Sequence, residues 1–91
     1  MLDIVLSNRF RKDIKLASKR GYNLDLMDKV VDKLSRQESL PPKNMDHALS
    51  GDYAGFRECH IQPDWLLIYR IDDRELILFL SRTGTHSDLF F

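Results

Sequence analysis

The run Trp65-Leu66-Leu67-Ile68-Tyr69 constrains this chain more than any other stretch. Five consecutive apolar residues read as a buried strand, and they fall far short of the roughly 20 needed to cross a bilayer. Strand signals flank the run on both sides. Phe56 to Ile61 alternates, Pro63-Asp64 makes a turn into the apolar strand, and Asp72-Asp73 turns out of it into Glu75 to Arg82. Three antiparallel strands in a meander follow from this pattern. In the last of them Leu76, Leu78, Leu80 and Arg82 fall on one face at period two, so Arg82 is expected to end a core-facing row.

The first half reads as helical. Met1 to Leu6 is a short β-prone opening, and Ser7 stands where an N-cap belongs. Phe10, Ile14 and Ala17 then form an apolar stripe on a helix from Asn8 to about Arg20, ended by Gly21. Asn23 caps a second helix, in which Leu24, Met27, Val31 and Leu34 repeat at helical spacing until Pro41-Pro42 stops the pattern. A short connection between the two predicts an antiparallel helical hairpin. Lys43 to Gly55 reads as a loop that carries His47 to the sheet. The expected fold is α+β in the order β-α-α-β-β-β, one domain over residues 1–91 with a small antiparallel sheet against the N-terminal hairpin.

Composition limits the function classes. With 43% hydrophobic and 31% charged residues the chain is ordinarily globular, and the segment before Ser7 lacks the features of a signal peptide. A cytosolic location without membrane contact is expected. Cys59 is the single cysteine, which excludes an internal disulfide and suits a small buried strand residue. Net charge is zero, yet residues 1–50 carry 10 Lys/Arg against 7 Asp/Glu and residues 51–91 carry 4 against 7. Lys12, Lys15 and Lys19 belong to the basic side of the first helix, a surface that could hold phosphates or simply be solvated.

The polar residues at the mouth of the apolar strand invite a chemical reading. Three histidines with Asp64 raise the question of a metal, but spacings of 13 residues from His47 to His60 and 26 from His60 to His86 match no local zinc pattern. No metal or other cofactor is therefore expected. Metal-free cleavage of RNA needs a base for the 2′-OH proton, an acid for the leaving 5′-oxygen and a cation for the charged phosphorane. Histidine titrates near pH 6.5 and suits both proton roles, and Arg82 can grip phosphate through two N–H groups. Trp65 and Phe90 or Phe91 could stack on unpaired bases. A plain structural role is open to each: Asp64 as a turn former, Trp65 in the core, Arg82 in an ion pair with Glu75 or Asp88, and the terminal rings packed on the sheet.

The combined order of four phrases narrows the choice. Asp46-His47-x-Leu49-x-Gly51, Gly55-Phe56-Arg57-Glu58-x-His60, Pro63-Asp64-Trp65-Leu66-Leu67-Ile68-Tyr69 and Arg82-Thr83-Gly84-Thr85-His86-x-x-Leu89-Phe90 resemble the YafQ branch of the RelE/ParE toxin superfamily. That resemblance implies the toxin of a type II toxin–antitoxin system, a ribosome-dependent endoribonuclease that cuts translated mRNA and is restrained by a cognate antitoxin. It implies His60, Asp64 and His86 as the catalytic core, with Arg82 beside them and His47, Trp65 and Phe90 in activity or RNA contact. His60 or Asp64 falls on the base side and His86 on the acid side. A toxin–antitoxin heterotetramer, and contact with operator DNA only through the antitoxin, are further expectations of the resemblance. The chain departs from such toxins in being neutral rather than basic. The alternative is a non-catalytic toxin of the ParE-like branch that binds DNA gyrase, whose members generally lack this histidine set.

Overall fold

The computed structural model describes residues 1–90. β1 (Asp3–Leu6) leads through Ser7 into α1 (Asn8–Lys19). Ser7 accepts the Phe10 N–H at 2.9 Å and donates its own hydroxyl to the Ser81 carbonyl at 2.6 Å, so one side chain caps the helix and ties it to the sheet. Gly21, at φ 78°, reverses the chain. Asn23 caps α2 (Leu24–Ser35) by accepting the Asp25 N–H at 3.1 Å. The helical hairpin stands where the sequence puts it.

Four further strands complete a five-stranded sheet: β2 (His47–Ala48), β3 (Arg57–Gln62), β4 (Trp65–Asp72) and β5 (Ile77–Gly84), in the spatial order β1-β5-β4-β3-β2. β3, β4 and β5 form the expected antiparallel meander. The sheet as a whole is mixed, because β1 pairs parallel to β5, Asp3 opposite Ile77 through Leu6 opposite Leu80. β1 carries no period-two signal strong enough to announce a partner, and its pairing follows from where the helical hairpin returns the chain. The expected loop from Lys43 to Gly55 is more ordered than its sequence implies, with 3₁₀ turns at Pro42–Asn44 and Gly51–Tyr53 around the two-residue strand that holds His47.

β4 is buried on both faces. Trp65, Leu67 and Tyr69 pack with Phe10, Met27, Leu34, Leu78 and Leu80 beneath the helices. Leu66 and Ile68 face the other way, against Leu89, Leu49, Tyr53 and Phe56. Leu89 belongs to α3 (His86–Phe90), a short helix where the sequence reading has only a tail. Cys59 is fully buried on the helical side, and burial pushes its thiol up to about 12. Among the described residues no helix is long and apolar enough to cross a membrane.

Two expectations about side chains are overturned. Trp65 is 2% exposed, donates its indole N–H to Thr83 Oγ1 at 2.9 Å and packs 4.9 Å from the Tyr22 ring, so it is core and has no free face for a base. Arg82 does not end a core-facing row. Ile68 pairs with Arg82 and Tyr69 with Leu80, which leaves Ser81 as an extra residue. This bulge flips the alternation, turning Thr83 into the core and Arg82 to the opposite face. β5 also starts at Ile77 rather than Glu75, since Leu76 takes a left-handed φ of 55° and lies 56% exposed. Trp65→Ala is expected to cost about 3–5 kcal/mol, read as a lower midpoint in urea; a loss below about 1 kcal/mol would contradict the core assignment.

Candidate active site

The β3–β4 hairpin and α3 bring the polar residues together on the sheet face away from the helical hairpin. Alternation along β3 points Glu58 and His60 to that face, opposite Ile68 and Leu66 of β4. His47, on β2, pairs directly with Glu58. The Glu58 carboxylate is buried, 5% exposed, and its Oε1 lies 3.7 Å from Nε2 of both His47 and His60. Asp64, in the turn between β3 and β4, reaches α3: its Oδ1 sits 2.8 Å from His86 Nδ1 and accepts the His86 backbone N–H at 3.1 Å. The His60 and His86 rings are 5.8 Å apart at an edge-to-face angle. Phe90, one helical turn beyond His86, leans on both His86 and Tyr53 and keeps an exposed face.

The two ends of this group differ electrostatically. Asp64 and His86 are solvent-facing, and the His86 side-chain hydrogen bond, then its backbone N–H, holds the Asp64 carboxyl below the usual carboxylate range. With Asp64 ionised, Nδ1 of His86 is the donor and Nε2 is left toward solvent. Glu58 and His60 form a sheltered end where a carboxylate faces an imidazole, both side chains largely removed from solvent.

Of the residues singled out from the sequence, His47, His60, Asp64, His86 and Phe90 converge. Arg82 is on the same face but already engaged: Nε and Nη2 donate to Asp13 at 2.8 and 3.2 Å, and the Thr83 N–H adds a third bond to that carboxylate. Its partner is thus Asp13, neither Glu75 nor Asp88, and the contact raises the guanidinium's affinity for its proton. Lys12, Lys15 and Lys19 lie exposed on α1 and form no ion pair among the described residues. Phe91 lies outside the described residues. Glu58 is the functional candidate that the sequence reading passed over. Its signal was the i, i+2 spacing to His60 on an alternating strand.

Glu58, His60 and His86 offer ligand atoms within 4.8 Å of one another, so the fold assembles the metal-capable cluster that linear spacing argued against. The family model for the YafQ bacterial toxin of type II toxin–antitoxin systems matches residues 2–91. The chain belongs to this family. It is 39% identical over 89 residues to the mRNA interferase toxin YafQ of Escherichia coli strain K12, covering 97% of this chain and 95% of that protein. A crystal structure of a metal-bound toxin from Helicobacter pylori superposes with a TM-score of 0.94 at 49% identity, covering 99% of this chain and all of the other. The E. coli DinJ-YafQ toxin–antitoxin complex matches with a TM-score of 0.89 at 38% identity, covering 99% and 98%. The family is the one the four phrases resemble, and the sheet with its helical hairpin is the fold of its solved members.

The tautomer of His86 tests the geometry without reference to any activity. In ¹⁵N spectra the neutral ring is expected to carry its proton on Nδ1, and Asp64→Ala should shift it to Nε2. Because His86 holds the Asp64 carboxyl below its ordinary range, Asp64 should stay ionised wherever the ring is neutral, and the Nδ1–H pattern should hold throughout that range. An Nε2–H wild-type ring would contradict the Asp64–His86 contact.

Proposed function

We propose that this chain is the toxin of a type II toxin–antitoxin pair and cleaves translated mRNA on the ribosome, as a single domain acting in the cytoplasm. The observation that carries the reading is His86, oriented by Asp64 and set 5.8 Å from His60 beside a buried carboxylate. Two imidazoles at that separation can face the two sides of one phosphodiester. In this reading His60 accepts the proton of the attacking 2′-OH, and the imidazolium so formed faces Glu58. His86 donates from Nε2 to the leaving 5′-oxygen, while Asp64 holds the ring and does not itself take the proton. The 2′-oxygen forms a bond to phosphorus as the bond to the 5′-oxygen breaks, giving a 2′,3′-cyclic phosphate and a free 5′-hydroxyl.

Arg82 has five N–H donors and spends two on Asp13, so three remain for phosphate oxygens. His47, on the far side of Glu58, adds a positive group when protonated. The exposed face of Phe90 suits stacking on a base, and Lys12, Lys15 and Lys19 suit ribosomal phosphates. The E. coli relative is known in complex with DinJ, and a cognate antitoxin is accordingly proposed here, in a heterotetramer that touches operator DNA through the antitoxin. A gyrase-binding role has no use for the assembled histidines.

In a translating extract, the wild type is expected to leave mRNA fragments with 2′,3′-cyclic or 3′-phosphate ends, and none when ribosomes are omitted. His86→Ala should lower the cleavage rate at least about 10²-fold, the usual worth of a positioned acid, with an unchanged circular dichroism spectrum. Intact transcripts alongside arrested translation would overturn the proposal, and gyrase-dependent DNA damage would redirect it.

A second reading follows from the relative described as metal-bound. Glu58, His60 and His86 present one oxygen and two nitrogen donors, a set suited to zinc or copper. A bound ion would hold the lone pairs that proton transfer requires, so it would inhibit. Zinc(II) or copper(II) at stoichiometric level is expected to raise Tm and to stop cleavage, both reversed by chelator. Metal-stimulated cleavage would contradict the acid/base assignment.

A further inference from the structure

We infer that Asp88, clasped between Arg20 and Thr85, is a positioning residue for His86, and that Arg20 acts through it. The inference rests on the proposed nuclease reading for its activity arm and on geometry alone for the rest. α3 has five residues, too few to hold a helix on local propensity. Its placement depends on what ties it down. Leu89 anchors one side in the apolar cluster under β4. The other side is tied by Asp88.

Four hydrogen bonds converge there. Arg20 Nη1 donates to Asp88 Oδ2 at 2.6 Å and Nη2 to Oδ1 at 3.2 Å, a two-pronged contact across 68 residues that joins the end of α1 to α3. The Thr85 N–H donates to Asp88 Oδ2 at 2.9 Å, and the Asp88 N–H donates back to Thr85 Oγ1 at 3.1 Å. Thr85-His86-Ser87-Asp88 is thus a reciprocal capping box with His86 as its first helical residue. Arg20, then Thr85, hold the Asp88 carboxyl well below the usual carboxylate range.

Gly84 supports the same conclusion. A Cβ at that position would sit 2.9 Å from both Cβ and Oδ2 of Asp88, so any side chain there would push the clasp apart. Between α1 and β5 the junction also contains a cavity of about 140 Å³, lined by Asp13, Ala17, Arg20, Arg82 and Asp88 among others. The clasp, rather than close packing, bridges that space. Asp64 fixes the His86 ring at one end, and Asp88 fixes the backbone that delivers it.

The Arg20–Asp88 contact is partly solvent-exposed, and pairs of that kind add little to global stability. Removing it should move His86 without unfolding the chain. Misplacing a catalytic group by about 1 Å costs on the order of 10²-fold in rate. In the translating extract, Asp88→Asn and Arg20→Gln are therefore expected to lower kcat about 10- to 100-fold. KM and Tm should stay close to wild type, and Arg20→Lys should restore most of the rate. Gly84→Ala should resemble Asp88→Asn. In ¹⁵N spectra both polar variants should weaken the Nδ1–H signature of His86, a readout independent of cleavage. If the wild type cuts no RNA, the nuclease reading fails while the spectra still decide the clasp. An undisturbed His86 signature in folded Asp88→Asn would overturn the inference, as would a rise in KM with kcat unchanged.

Discussion

The burial of β4 on both faces is the constraint on which the rest depends. A strand covered on one side needs only a helical layer; Leu66 and Ile68 require a second cover, and the chain supplies it with Leu49, Tyr53, Phe56 and Leu89. Those residues come from the turns before β3 and from α3. The apolar demand of the central strand therefore draws the C-terminal helix back across the sheet, and with it His86. The geometry of the candidate site and the packing of the core share a cause here: the same inward pull on Leu89 sets His86 over the mouth of the β3–β4 hairpin. Thr83 completes the link, since its hydroxyl receives the Trp65 indole N–H and donates to the Leu66 carbonyl at 2.6 Å.

Periodicity made most of this legible. Helix caps at Ser7 and Asn23, the hairpin turn at Pro63-Asp64 and the run from Trp65 were each local signals, and each held. What failed was non-local. Nothing in Asp3–Leu6 says which strand it joins, because the partner is chosen by the path of the helical hairpin. The bulge at Ser81 has no marker, such as glycine, in the sequence, yet one extra residue moves Arg82 to the other face and puts Thr83 in the core. His60, Asp64 and His86 were singled out from their chemistry, and only the resemblance joined them into one site. Their proximity comes from the pairing of strands and the docking of α3, which no spacing records. Glu58 was within reach of the alternation rule, but a buried carboxylate is unexpected on a core strand.

The chain's neutrality takes on a different meaning once the acids are located. Asp64 orients His86, Glu58 faces His47 and His60, Asp88 fastens α3, and Asp13 engages Arg82. Carboxylates occupy the places where positive groups must be held still, so they serve geometry. The cost is a site whose fixed charge is close to balanced, unlike one that draws phosphate in by field strength alone.

On the proposed nuclease reading, such a site would favour the transition state over the bound ground state. A polyanionic strand gains little from a site where His47, His60, His86 and Arg82 each already have a carboxylate beside them. The phosphorane, with one more negative charge, gains from His60 only after that ring has taken the 2′-OH proton, and from the N–H groups of Arg82 that Asp13 leaves over. Stabilisation that grows with the reaction raises kcat rather than affinity. Affinity must then come from elsewhere, and the cations without carboxylate partners among the described residues include Lys12, Lys15 and Lys19, on the exposed side of α1. A division of this kind, with binding on the helix and chemistry on the sheet, would let a ribosome hold the protein by α1 while mRNA meets a site of modest intrinsic grip. On the proposed reading a free transcript would offer too little to be held, and the need for a ribosome would follow from where the charges sit.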